Sequence, residues 1–118
     1  MKNGKIWHVD KEQLKKNAPR IAGIIEKHGC IGSDYHKETE KRAGYPSVFI
    51  TVDADQAIID ELAKIFRVTT TPKHLKVSTR PAVKFILQTI EPYLTAVKAK
   101  QDCTEILSLI YRLNNPDA

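Results

Sequence analysis

The chain has 118 residues, a length that fits one domain with a buried core. Apolar residues make up 42% and charged residues 28%, which excludes a wholly disordered chain, and no apolar run approaches the ~20 residues needed to span a bilayer. Lys and Arg number 19 against 14 Asp and Glu, a net charge of +5 with a pI near 9.3, and this points to an anionic partner.

The N-terminal MKNGKIWHVD lacks the hydrophobic region of a signal peptide, so an intracellular, cytoplasmic protein is expected. Cys30 and Cys103 lie far apart without CxxC or histidine spacing, and they read as free buried thiols rather than a disulfide framework or a zinc knuckle. Residues 1–118 form a single domain in this reading, with 1–16 an N-terminal extension that carries a short helix.

In chain order, Asp10 with Gln13 three residues later makes a capping-box pattern ahead of that helix, KEQLKK. Asn17 caps a second helix, with Pro19 in its first turn, where a missing N–H is no loss. The helix runs through RIAGIIEKH to Gly29 and places two small residues, Ala22 and Gly23, in its middle. Beyond Gly29 the pattern alternates. Ile31, Ser33 and Tyr35 against Gly32, Asp34 and His36 predict a strand. A charged, turn-rich connection, KETEKRAGYP, leads to SVFITV, with Val48, Ile50 and Val52 against Ser47, Phe49 and Thr51.

DADQAIIDELAKIF reads as a helix with acidic residues at its start and an apolar stripe of Ile58, Ile59, Leu62, Ile65 and Phe66. RVTTT and KHLKVST are two short strands around Pro72, rich in β-branched residues. PAVKFILQTIEPYL is a helix opened by Pro81 and interrupted at Pro92, and KAKQDCTEILSLIYRL is a closing helix. The order α-ββ-α-ββ-α-α predicts an α+β fold, a four-stranded antiparallel sheet with helices on a single face.

Two stretches carry a resemblance. IAGIIEKHGCI resembles the signature of the LAGLIDADG homing endonuclease family, and FILQTIEPYLTAVKAKQ is similar to its closing segment, an apolar helix followed by Pro, an aromatic residue, Leu and a Lys/Gln-rich turn. The resemblance covers the chain from residue 17 to the end and implies the αββαββα fold with double-stranded DNA as partner. One copy of the signature implies a homodimer. Ala22 and Gly23 would let two motif helices approach at backbone distance, so Ile21, Ala22, Gly23, Ile25 and Glu26 form the expected interface, Glu26 also serving in helix capping.

In the family the last acidic residue of the signature holds divalent metal against the scissile phosphates, and here that position is His28. A neutral imidazole offers neither the charge nor the hard oxygen that Mg²⁺ takes. The resemblance therefore implies sequence-specific DNA binding with cleavage weakened or lost, and Mg²⁺ or another divalent metal only if activity survives. Lys27 stands where the family places a small residue, and its ammonium would bring positive charge to the phosphates. Lys98 aligns with a basic residue that the family uses near the cleaved phosphate. His28 and Lys98 are thus the candidate catalytic residues and His28 the candidate metal ligand, with Glu26 and Asp34 the nearest other carboxylates along the chain.

Opposite the apolar set, Gly32, Asp34, His36, Ser47, Phe49, Thr51, Arg67, Thr69, Thr71, His74, Lys76 and Ser78 would face DNA, most of them able to bond base edges in a major groove. Lys37, Lys41, Arg42, Lys73 and Arg80, at strand ends and in loops, would hold phosphates. Two other readings stay open: an active metal-dependent endonuclease that uses His28 with a softer ion such as Mn²⁺, Ni²⁺ or Zn²⁺ or relies on other residues, and an RNA-binding intron maturase. No membrane or small-molecule substrate is expected.

Overall fold

A computed structural model describes residues 9–41 and 43–115. Arg42 and the first eight residues of the N-terminal extension lie outside the described residues. The elements are α1 (Lys11–Lys16), α2 (Ala18–His28), β1 (Gly29–His36), β2 (Tyr45–Asp53), α3 (Gln56–Phe66), β3 (Thr70–Thr71), β4 (His74–Val77), α4 (Arg80–Ile90), a 3-10 turn (Glu91–Tyr93) and α5 (Val97–Asn114). The strands form one antiparallel sheet in the order β1-β2-β4-β3, the predicted α+β architecture.

Register decides which face is buried. Ile31 pairs with Ile50, Ile50 with Val77 and Val52 with Leu75, and since residues directly opposite share a face, this set and Val48 make one apolar surface under the helices. The helices answer it with Ile21, Ala22 and Ile25 of α2, Ile59, Leu62 and Phe66 of α3, Val83, Ile86, Leu87 and Ile90 of α4, and Cys103, Ile106 and Ile110 of α5. No described helix is long and apolar enough to cross a membrane.

With only six residues, α1 is too short to be stable alone. Two things hold it. Asp10 Oδ1 accepts from the Gln13 N–H at 3.1 Å, and Leu14 is fully buried, which contributes about 2 kcal/mol relative to an exposed side chain. The expected cap at Asn17 differs: its side chain donates to Gln13 O at 2.9 Å and so closes the end of α1, while α2 starts without a side-chain cap. An amide can serve either helix where two meet at one residue, and here the exposed carbonyl of α1 takes it.

The second hairpin is shorter than the sequence pattern suggests. Arg67 ends α3 in the left-handed conformation with φ 57°, and its N–H donates to Ala63 O at 2.7 Å. That C-cap is usually marked by glycine, and without one the helix end passed for the start of a strand. Arg67 and Thr69 therefore precede β3 rather than lying on it. Cys30 also departs from expectation. Opposite Thr51 it faces outward and is exposed, while Cys103 is buried, its thiol pushed up to about 11 by burial, with Sγ directed at Leu87 O at 3.8 Å.

Candidate nucleic-acid interface

The sheet face away from the helices is open. Its side chains run in cross-strand rows fixed by register: His36 with Tyr45, Asp34 with Ser47, Gly32 with Phe49, Cys30 with Thr51 and Lys76, and Asp53 with His74 and Thr71. Ser78 continues the outward side just past β4 and is exposed. Of the positions expected on this face, all but Arg67 and Thr69 are brought together by the strands or the residue that follows them. Arg67 instead reaches toward Asp10 on the helical side, 4.0 Å from its carboxylate.

Several of these groups hold one another. His36 stacks on Tyr45 with ring centroids 4.6 Å apart, and its Nε2 lies 3.0 Å from Ser47 Oγ. His74 Nδ1 is 2.6 Å from Asp53 Oδ1. Lys76 Nζ stands 5.2 Å from the Phe49 ring centroid. Asp53 and Tyr45 are members of the face that the sequence pattern missed, because β2 runs from Tyr45 to Asp53 rather than stopping at 47 and 52. Continuing the alternation by one more step at each end would have found both.

Among the loop cations, Lys37 and Lys41 are exposed in the β1–β2 connection. Lys73 sits in the β3–β4 turn with φ 60°, the left-handed residue that follows Pro72, and its N–H donates to Gln56 Oε1 at 3.1 Å. Arg80 is not in a loop. It opens α4 and donates to Asn114 Oδ1 at 3.1 Å, which ties it to the end of α5.

At the foot of α2 the side chains diverge. Two residues of helix are about 200° of rotation, so Glu26 and His28 point to nearly opposite sides. Glu26 turns to α5. Its Oε2 accepts from the N–H groups of Ala96 at 2.6 Å and Thr95 at 2.7 Å, with Thr95 Oγ1 3.2 Å from Oε1. This is the expected capping role: a carboxylate on otherwise unpaired donors at the positive end of an 18-residue helix. The Ala96 amide first, then the amide and hydroxyl of Thr95 and the charge of Lys100, hold the Glu26 carboxyl below the usual carboxylate range.

His28 lines a separate pocket of about 460 Å³ with Asp53, Asp55, Lys73 and His74. Lys98 lines a second space, of about 320 Å³, with Glu26, Gly29 and Cys30, and its Nζ is 3.4 Å from Asp102. The two candidate catalytic residues thus occupy different pockets of the chain. The carboxylates that share a pocket with His28 are Asp53 and Asp55, not Glu26 and Asp34.

The helix faces also correct the expected interface. Ile21, Ala22 and Ile25 are buried in the chain's own core at 0%, 0% and 2% exposure. With Ala18 they follow i, i+3, i+4, i+7, a core stripe. The exposed stripe is Pro19, Gly23 and Lys27, and a Cβ added at Gly23 would meet nothing within 4 Å.

The same architecture recurs in solved structures. The homing endonuclease I-CvuI, in a complex with the I-CreI target in 2 mM Mg with the DNA not cleaved, matches with a TM-score of 0.73 at 19% identity, covering 87% of this chain and 71% of that one. I-TnaI matches at 0.66 and 15% identity over 81% and 72% of the two chains. The LAGLIDADG homing endonuclease I-LtrWI, bound to target DNA, matches at 0.68 and 17% identity over 90% of this chain and 39% of that one.

The fold is that of the LAGLIDADG homing endonucleases. No protein-family model and no curated protein sequence matches the chain. The stretch that resembles the LAGLIDADG signature occupies α2 and the first residues of β1, and the stretch that resembles the closing segment spans α4, the 3-10 turn and the first turns of α5. Glu26 bonds the one to the other.

That link gives a testable expectation. A carboxyl held low by its hydrogen bonds adds stability that is complete above its ordinary value of 4.5 and is lost as pH falls through the lower folded-state value. Glu26→Gln keeps an oxygen but no charge. Its melting temperature should fall below wild type at pH 7, with the gap closing as thermal melts are taken to pH values well under 4.5. A gap independent of pH would assign the loss to packing instead.

Proposed function

We propose that this chain is a LAGLIDADG-family protein that binds double-stranded DNA as a homodimer, reads sequence with the open face of its sheet, and has weakened or lost cleavage because His28 stands at the metal-holding acid position. The observation that carries this reading is the polar, open sheet face, bordered by exposed Lys37, Lys41 and Lys73, on a fold shared with proteins solved on DNA. Lys76 and His74 donate toward base edges, Thr51, Thr71, Ser47 and Ser78 donate or accept, and the loop lysines take phosphates.

The residues at the foot of α2 do not fit a hard divalent cation. Position 28 offers an imidazole next to the Lys27 ammonium, and the neighbouring Asp53 already bonds His74. Mg²⁺ takes oxygen donors, which an imidazole does not supply, and the Lys27 ammonium repels it. That ammonium would instead attract phosphate oxygen, so affinity for DNA would need no metal. Pairing across the exposed Gly23 stripe of α2 would bring two such sheets along one duplex.

Two substitutions separate base reading from phosphate holding. Lys76→Ala should weaken binding to the preferred duplex by about 1–3 kcal/mol while leaving the salt dependence nearly unchanged. Lys37→Ala with Lys41→Ala should weaken all duplexes alike and flatten the plot of log affinity against log salt by about one unit for every phosphate no longer neutralised. Fluorescence anisotropy titrations between low and moderate salt measure both. Equal losses on preferred and scrambled duplexes for Lys76→Ala would contradict base reading by the sheet.

A further inference from the structure

On the open face, Phe49 is the one large side chain with no polar atom of its own among the described residues. It sits opposite Gly32, and its ring lies down across that residue: a Cβ added to Gly32 would come within 2.8 Å of Phe49 Cζ and 3.2 Å of Cε1. A larger residue at position 32 would lift the ring on edge. Glycine leaves the room in which the ring lies across the strand. Lys76, paired with Thr51 on the next strand, holds its ammonium over the ring, 5.2 Å from the centroid. The result is an apolar ring with a pure hydrogen-bond donor above it, in surroundings that are otherwise polar.

We propose that Gly32, Phe49 and Lys76 form a reader for a single thymine, with the 5-methyl group resting on the Phe49 ring and O4 accepting from Lys76. This deepens the DNA-binding reading and rests on it. Thymine alone among the bases carries a methyl in the major groove, and its O4 acceptor is on the adjacent ring carbon. Cytosine puts an amino donor where O4 would be, and an ammonium cannot accept from it. Guanine supplies acceptors for Lys76 but nothing apolar for the ring, and adenine presents a donor amine. Both halves of the reader are satisfied by one base.

The experiment replaces each thymine of a duplex selected by the wild-type protein with deoxyuridine, one at a time, which removes the methyl and nothing else. One thymine per bound copy of the chain should prove sensitive, with affinity falling about fourfold, the worth of one buried carbon. That sensitivity should vanish in Phe49→Ala and in Gly32→Ala, the second of which takes away none of the atoms that touch the base and only lifts the ring. In Lys76→Ala the methyl effect should persist while discrimination against cytosine at the same position falls. A selected site without a deoxyuridine-sensitive thymine overturns this inference alone, as does sensitivity that survives in either Phe49→Ala or Gly32→Ala. Binding that selects no duplex sequence overturns it together with the DNA-binding reading.

Discussion

Incubated with its preferred duplex and Mg²⁺, the wild-type protein should leave both strands intact, and the double substitution Lys27→Ala with His28→Asp should produce measurable double-strand cuts. Metal ions clamped against a phosphate contribute several kcal/mol to strand cleavage, so a site unable to hold them should be slower by about 10³-fold or more. His28→Asp restores a hard oxygen donor at the foot of α2. Lys27 is the adjacent residue in the chain, and its positive charge would oppose an incoming cation. Removing both obstacles is therefore the fair comparison, read on denaturing gels that resolve each strand. Efficient cleavage by the unaltered protein would contradict the account, and Asp53 and Asp55, which share the pocket with His28, would be the first residues to replace in explaining it.

Gly23→Leu should convert a dimer to monomers in sedimentation velocity. Within the single chain Gly23 packs against nothing: it sits exposed in the middle of α2 with open space around it, where glycine costs about 1 kcal/mol relative to alanine. If that surface faced only water, leucine would raise helix propensity and the protein would melt higher. If a second α2 packs there, a leucine holds the backbones apart and the assembly fails. The two situations predict opposite signs, so sedimentation and a thermal melt on the same sample decide between them. A wild-type protein that stays monomeric at high concentration would contradict the homodimer.

Most of the architecture was legible because the elements alternate between clear periods. Ile59, Leu62, Ile65 and Phe66 repeat as a helix must, Val48, Ile50 and Val52 as a strand must, and Pro81 and Pro92 bracket α4. The split between Ile21, Ala22 and Ile25 inside and Gly23 outside was also present in the sequence, as an i, i+3, i+4, i+7 stripe that includes Ala18.

Other features left no local signal. Arg67 adopts a left-handed cap without glycine, Asn17 chooses between two helices that share it, and Cys30 is exposed because β1 stands at the sheet edge with its outward side open. The separation of His28 from Lys98 arises from where α3, α5 and the β3–β4 turn pack around the foot of α2, which is tertiary information. Glu26 was expected to cap a helix, but only the fold names the helix as α5, 70 residues along the chain at Ala96.

Whether the open sheet face reads duplex DNA can be measured by selecting bound molecules from a random-sequence duplex pool with the wild-type protein in the absence of divalent metal, with structured RNA as competitor. One duplex sequence, two-fold related about its centre, should be enriched and should not be displaced by RNA. Recovery of unenriched duplexes, or displacement by RNA at equal concentration, would contradict that reading.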